Sequence, residues 1–143
     1  MSDNKATGSC LCGAIRYQIE PEKGVFQYCY CSRCRKTSGS MGAANLIIDQ
    51  TQFHWLEGQG RLGRYVHAEA TRFCNAFCRD CGSKMPWLSR DGKRMIVPAG
   101  TLDEDPGVRP VRGIFADSAA PWYLDPGSVP TFDTVPPPMD STD

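Results

Sequence analysis

Eight cysteines, seven of them gathered into three short runs, constrain this 143-residue chain more than any other feature. Cys10 and Cys12 form a C-x-C pair followed by Gly13. Cys29, Cys31 and Cys34 form C-x-C-x-x-C, and Cys78 and Cys81 form a C-x-x-C pair followed by Gly82. The opening run MSDNKATG is polar and lacks the apolar core of a secretory leader, and no stretch reaches the length needed to span a bilayer. A cytoplasmic protein without membrane contact is therefore expected. In a reducing compartment, thiols spaced this way serve metal ligation or catalysis more often than disulfides. A secreted, disulfide-bonded domain is the competing reading; loss of structure on chelation rather than on reduction separates the two.

The spacing of the pairs suggests how a metal would be held. Two short chelating loops at distant points of a small chain are the usual way to assemble a closed tetrahedral zinc site, each supplying two thiolates about 2.3 Å from the metal. Cys10, Cys12, Cys78 and Cys81 fit that role, with the following glycines letting the backbone turn toward the sulfurs. Two independent redox dithiols are the alternative, although a C-x-C loop is tight for an internal disulfide. Cys29, Cys31 and Cys34 put three ligands on one loop, and three protein ligands leave a tetrahedral zinc with one position free, where a catalytic metal takes water or substrate. Cys74, the one cysteine outside both sets, could instead close that shell, or be a small buried thiol. Neither His54 nor His67 has a chelating neighbour, and both read as ordinary histidines.

Around these runs the chain reads as mostly β. In AIRYQIE (residues 14–20), Ile15, Tyr17 and Ile19 alternate with Arg16, Gln18 and Glu20, the period of a half-buried strand. Further short β-prone runs cover 25–30, 43–48, 53–56, 63–66, 72–77, 85–88 and 95–97, separated by Gly, Asp-Gly and Pro. No segment sustains a helical repeat; a short turn of helix is expected over 32–37, with Ser32 as its cap. The length suits one domain, placed at 1–135, followed by a Pro-rich flexible tail at 136–143.

Sixteen basic residues balance sixteen acidic ones, so nothing in the global charge argues for a nucleic-acid groove or an anionic membrane surface. Locally, Arg33, Arg35 and Lys36 would offset three thiolates and offer donors to the carboxylates of an anionic ligand. Thr37 and Ser38 lie near that loop in sequence and could deliver a proton, although a TSGS segment is more often just a turn. Trp55, Trp87 and Trp122 read as core or rim aromatics.

Taken together, GSCLCGAIRY, CSRCRKTSG, FCRDCGSKM, AGTLD and IFADSAAPW resemble the glutathione-dependent formaldehyde-activating enzymes, a family that also includes the centromere protein V domain. The resemblance runs from Gly8 to about Pro136. It implies a β-tent fold of short antiparallel strands with two zincs, one structural at Cys10, Cys12, Cys78 and Cys81 and one catalytic at Cys29, Cys31 and Cys34. The implied activity is carbon–sulfur lyase chemistry, the reversible addition of glutathione to formaldehyde, with a small thiol and a small aldehyde as partners. Trp122 falls in the closing motif and could line the pocket, with no role assigned to it. Three positions depart from the family pattern: Tyr30 and Gly113 stand where histidine is common, and Asn75 replaces an arginine. The reading from a different class is a zinc-stabilised, non-catalytic module that meets a protein or nucleic acid.

Overall fold

The alternation in AIRYQIE becomes a strand that begins at Arg16, and the apolar residues in and just before it carry the core: Ile15, Tyr17 and Ile19 are each 0% exposed, while Arg16 stays outside. A computed structural model describes residues 4–138, so most of the expected tail at 136–143 lies outside the described residues. In chain order the strands are β1 (Ala6–Ser9), β2 (Arg16–Ile19), β3 (Val25–Cys29), β4 (Ala43–Asp49), β5 (Phe53–Glu57) and β6 (Leu62–Val66). There follow β7 (Cys74–Cys78), β8 (Lys84–Met85), β9 (Trp87–Leu88), β10 (Arg94–Pro98) and β11 (Arg112–Ile114). One α-helix occurs among the described residues, α1 (Ser32–Ser38), along with short 3-10 turns. None of the described helices is long and apolar enough to cross a membrane.

The strands form three sheets, ordered β1-β2-β5, β11-β3-β4-β10-β9 and β6-β7-β8. Their pairings are antiparallel, as expected, with one exception: β11 runs parallel to β3, aligning Ile114 with Cys29 and Gly113 with Tyr28. The Arg112 Nε–H donates to the buried Gln27 Oε1 at 2.8 Å, and the Tyr30 amide donates to Ile114 O at 3.0 Å. The closing part of the chain is thereby fastened beside the three-cysteine loop.

Two apolar clusters hold the sheets together. One gathers Ala6, Tyr17, Ile19, Leu46, Ile48, Phe53, Met95 and Val97. The second contains Cys10, Ile15, Cys78 and Met85, with Cys81 and Leu62 packed against it, so sulfur atoms make up part of the core. Trp55 packs against both, in an edge contact with Phe53 at 4.7 Å. Tyr17 enters the first cluster through its ring and shares a 2.6 Å hydrogen bond between its hydroxyl and that of Thr101. Burial pushes the Tyr17 phenol well above its ordinary value.

Candidate metal centres

Cys10, Cys12, Cys78 and Cys81 bring four sulfurs within 4.8 Å of one another. Two matched turns place them. Gly13 donates to Cys10 O at 3.0 Å and Gly82 to Cys78 O at 2.8 Å, and the two glycines share a left-handed backbone, φ +79° and +78°. Nothing lies within 4 Å of a Cβ built at either position, so it is the backbone conformation, not crowding, that calls for glycine. A tetrahedron with 2.3 Å metal–sulfur bonds has sulfurs about 3.8 Å apart. The Cys10–Cys12 and Cys12–Cys78 sulfur separations of 3.6 and 3.9 Å bracket that value, and both far exceed a disulfide's bond length of about 2.05 Å. None of the eight cysteines is in a disulfide.

The acid–base character of this cluster is uneven. The Ser83 hydroxyl and amide lower Cys81 to about 6; burial raises Cys10, but the Ile15 amide, 3.3 Å from its Sγ, together with the Cys12 and Cys78 thiols outweighs burial and lowers it. Cys12 is pushed up to about 12, because the lowering effect of the Ala14 amide is outweighed by Cys10 and by burial. Four thiols packed together cannot all ionise without a cation between them, which is the condition a zinc ion meets.

The second cluster is built where β3 runs into α1. Cys29 ends the strand, Cys31 caps the helix and Cys34 lies in its first turn, and their sulfurs come within 4.8 Å of one another. The cap differs from the expected one. Cys31 Sγ, rather than the Ser32 hydroxyl, accepts the orphan amide of Cys34 at 3.3 Å, so the helix start and the sulfur cluster are one feature. Burial raises Cys29 and Cys34, whereas at Cys31 the Cys34 amide and the neighbouring thiols override burial and lower it. Among the described residues no fourth His, Cys, Asp or Glu joins these three at that spacing.

Cys74 stands apart from both clusters. It is 1% exposed on β7, and its sulfur accepts from Arg64 Nη2 at 3.3 Å. His54 is exposed on β5, and His67 pairs through Nδ1 with the Tyr65 hydroxyl at 2.9 Å. Of the basic residues on α1, Arg33 and Lys36 are exposed. Arg35, next to Cys34, is half-buried, and its Nε is buried without a hydrogen-bond partner. Both candidate hydroxyls are committed elsewhere: Thr37 Oγ1 donates to Arg33 O at 2.9 Å, and Ser38 Oγ to Cys34 O at 2.7 Å.

Two features near the three-cysteine cluster carry no sequence signal of their own. Lys84 on β8 is half-buried, with its ammonium 5.3 Å over the Trp87 ring; burial lowers its pKa while charge at Cys34 opposes that shift. Tyr30, between Cys29 and Cys31, packs its ring 5.2 Å from that of Tyr123, with the two hydroxyls 3.5 Å apart.

Residues 5–118 match the family model described as glutathione-dependent formaldehyde-activating enzyme. A curated relative from Halomonas elongata, named "Putative glutathione-dependent formaldehyde-activating enzyme", is 53% identical over 103 residues, which is 68% of this chain and 66% of that protein. The chain thus spans just under two thirds of that relative's length. A crystal structure of a Rhodobacter sphaeroides protein superposes with a TM-score of 0.59 at 25% identity, covering 75% of this chain and 98% of the other.

Proposed function

Because the chain belongs to the glutathione-dependent formaldehyde-activating enzyme family, we propose that it catalyses the reversible addition of glutathione, or a related small thiol, to formaldehyde at the Cys29–Cys31–Cys34 cluster. The reaction is of the carbon–sulfur lyase type. The observation that carries this reading is the contrast between the clusters: one gathers four sulfurs, the other three with no fourth protein ligand at the same spacing among the described residues.

Soft, crowded thiols suit zinc in both places. We assign Cys10, Cys12, Cys78 and Cys81 to a structural ion and Cys29, Cys31 and Cys34 to a catalytic one. Zinc at the second site supplies a Lewis acid that favours the ionised form of a thiol at neutral pH. The protein's own groups do the rest. The Cys34 amide holds Cys31 Sγ in place as the helix starts. Arg35, next to Cys34 in the chain, is half-buried with an Nε–H that makes no hydrogen bond, and the exposed Arg33 and Lys36 add positive charge on the same helix. Glutathione carries two carboxylates, which these cations would attract. Since Thr37 and Ser38 donate to backbone carbonyls, the proton needed by the adduct oxygen comes from solvent or from the thiol itself.

The test is exchange NMR on zinc-loaded protein with glutathione and formaldehyde. Adduct formation and release should be faster than in buffer, and the acceleration should vanish in Cys31→Ala. Equal rates with and without fully loaded protein would overturn the reading.

A further inference from the structure

A groove of about 470 Å³ opens where α1 ends, in the size range of small-molecule sites. One wall is the turn Gly39–Met41; the other is the closing segment, with Trp122, Leu124, Pro126 and Val129. No charged side chain among the described residues lines it. Trp122 and Leu124 are 66% and 65% exposed, a large apolar surface to leave in water beside a reacting centre.

Both walls abut the three-cysteine loop. On one side Gly42, next to Met41, lies so close to Cys29 that a Cβ built there falls 2.5 Å from Cys29 O. On the other, Tyr123 stands between Trp122 and Leu124 and packs against Tyr30, the residue between Cys29 and Cys31. Groove and sulfur cluster are therefore neighbours, linked through Gly42 and Cys29 on one side and through Tyr123 and Tyr30 on the other.

We propose that this groove is a subsite for the apolar substituent of a carbonyl substrate larger than formaldehyde, with Trp122 and Leu124 as specificity-determining residues and Tyr123 as the residue that positions them. The inference rests on the reading of Cys29, Cys31 and Cys34 as the reacting centre. Formaldehyde has no substituent to fill such a space, whereas an alkyl aldehyde has one. The reaction is otherwise the same. The thiol sulfur forms a bond to the carbonyl carbon, the C=O π pair moves to oxygen, and oxygen takes the proton that the thiol gave up. The product is a hemithioacetal, and the reverse step releases both partners unchanged.

The test uses the full zinc-loaded chain and two readouts. Titration with acetamide, butanamide and hexanamide, unreactive carbonyl probes of increasing tail length, measures the groove alone. Affinity should rise by up to about fourfold per methylene and the rise should flatten in both Trp122→Ala and Leu124→Asn. Exchange NMR with glutathione and either formaldehyde or hexanal measures the reaction, and the hexanal-to-formaldehyde rate ratio should fall several-fold in both variants. A flat amide series beside working formaldehyde exchange overturns this inference and spares the proposed function. A graded amide series without exchange for any aldehyde keeps the apolar subsite and overturns the reaction. Concentration-dependent self-association that Trp122→Ala abolishes, with no amide binding, assigns the groove to a second copy and overturns the inference.

Discussion

Gly113 lies against the ring of Tyr30: a Cβ built on it falls 2.9 Å from Tyr30 Cε2. Two positions at which the resemblance leads histidine to be expected thus meet in space, and the Tyr30 ring fits where Gly113 has no side chain. Gly113→Ala should destabilise the protein by about 1 to 3 kcal/mol through overpacking. In a Tyr30→Ala background the same substitution should cost less than about 0.5 kcal/mol. Urea midpoints for the four proteins of this cycle measure the coupling, and additive effects would show that the contact carries no energy.

The four-sulfur cluster belongs to the second apolar core, so its metal should be a folding element. Binding of zinc to four thiolates contributes on the order of 10 kcal/mol in small domains. Chelation should lower the thermal midpoint by more than about 20 °C, and Cys78→Ser should do the same without chelator. A reductant without chelating groups should leave the midpoint in place, as followed by circular dichroism.

Substitution in the other cluster should separate structure from chemistry. Cys31→Ala is expected to retain one zinc per chain by elemental analysis, against two in the wild type, and to keep the cooperative unfolding transition. It should lose thiol–formaldehyde exchange altogether. A fall to zero metal in Cys31→Ala would mean that the clusters are not independent.

Tyr17 gives the stability curve an alkaline limit. Its folded-state pKa is raised above the ordinary value of 10.0, so the unfolded chain releases this proton first as the pH rises. The contribution is fully present below pH 10 and is lost above it, at up to about 1.4 kcal/mol per pH unit for one proton. Tyr17→Phe should reduce that alkaline slope by up to one proton's worth. At neutral pH the same variant should cost about 1 kcal/mol for the hydroxyl pair with Thr101. Urea unfolding between pH 8 and 11 reads both effects.

Local pattern and cysteine spacing made part of this molecule legible before any coordinates. The inward set Ile15, Tyr17 and Ile19 could be read because a half-buried strand imposes period two on its own residues. The matched turns at Gly13 and Gly82 could be read because two chelating loops repeat one backbone solution. The strands β1 and β11 could not. Ala6–Ser9 holds no apolar alternation and becomes a strand through pairing with β2, and Arg112–Ile114 does so through a parallel match with β3. The cap at Cys31 was hidden because sulfur is an uncommon cap, whereas serine, one position on, is a favoured one. Neither the burial of Lys84 nor the meeting of Tyr30 with Gly113 and Tyr123 leaves a trace in spacing, since each depends on segments far apart in the chain.

Cys12 and Cys78, whose sulfurs stand 3.9 Å apart, are 66 positions apart in the chain. At about 5 to 20 residues per second, a ribosome would make the first thiol pair roughly 3 to 13 s before the second. During that interval Cys10 and Cys12 wait on a nascent segment without their partners, open to oxidants and to whichever soft cation reaches them first. The order of synthesis therefore makes metal supply and redox state around the ribosome part of how this protein matures.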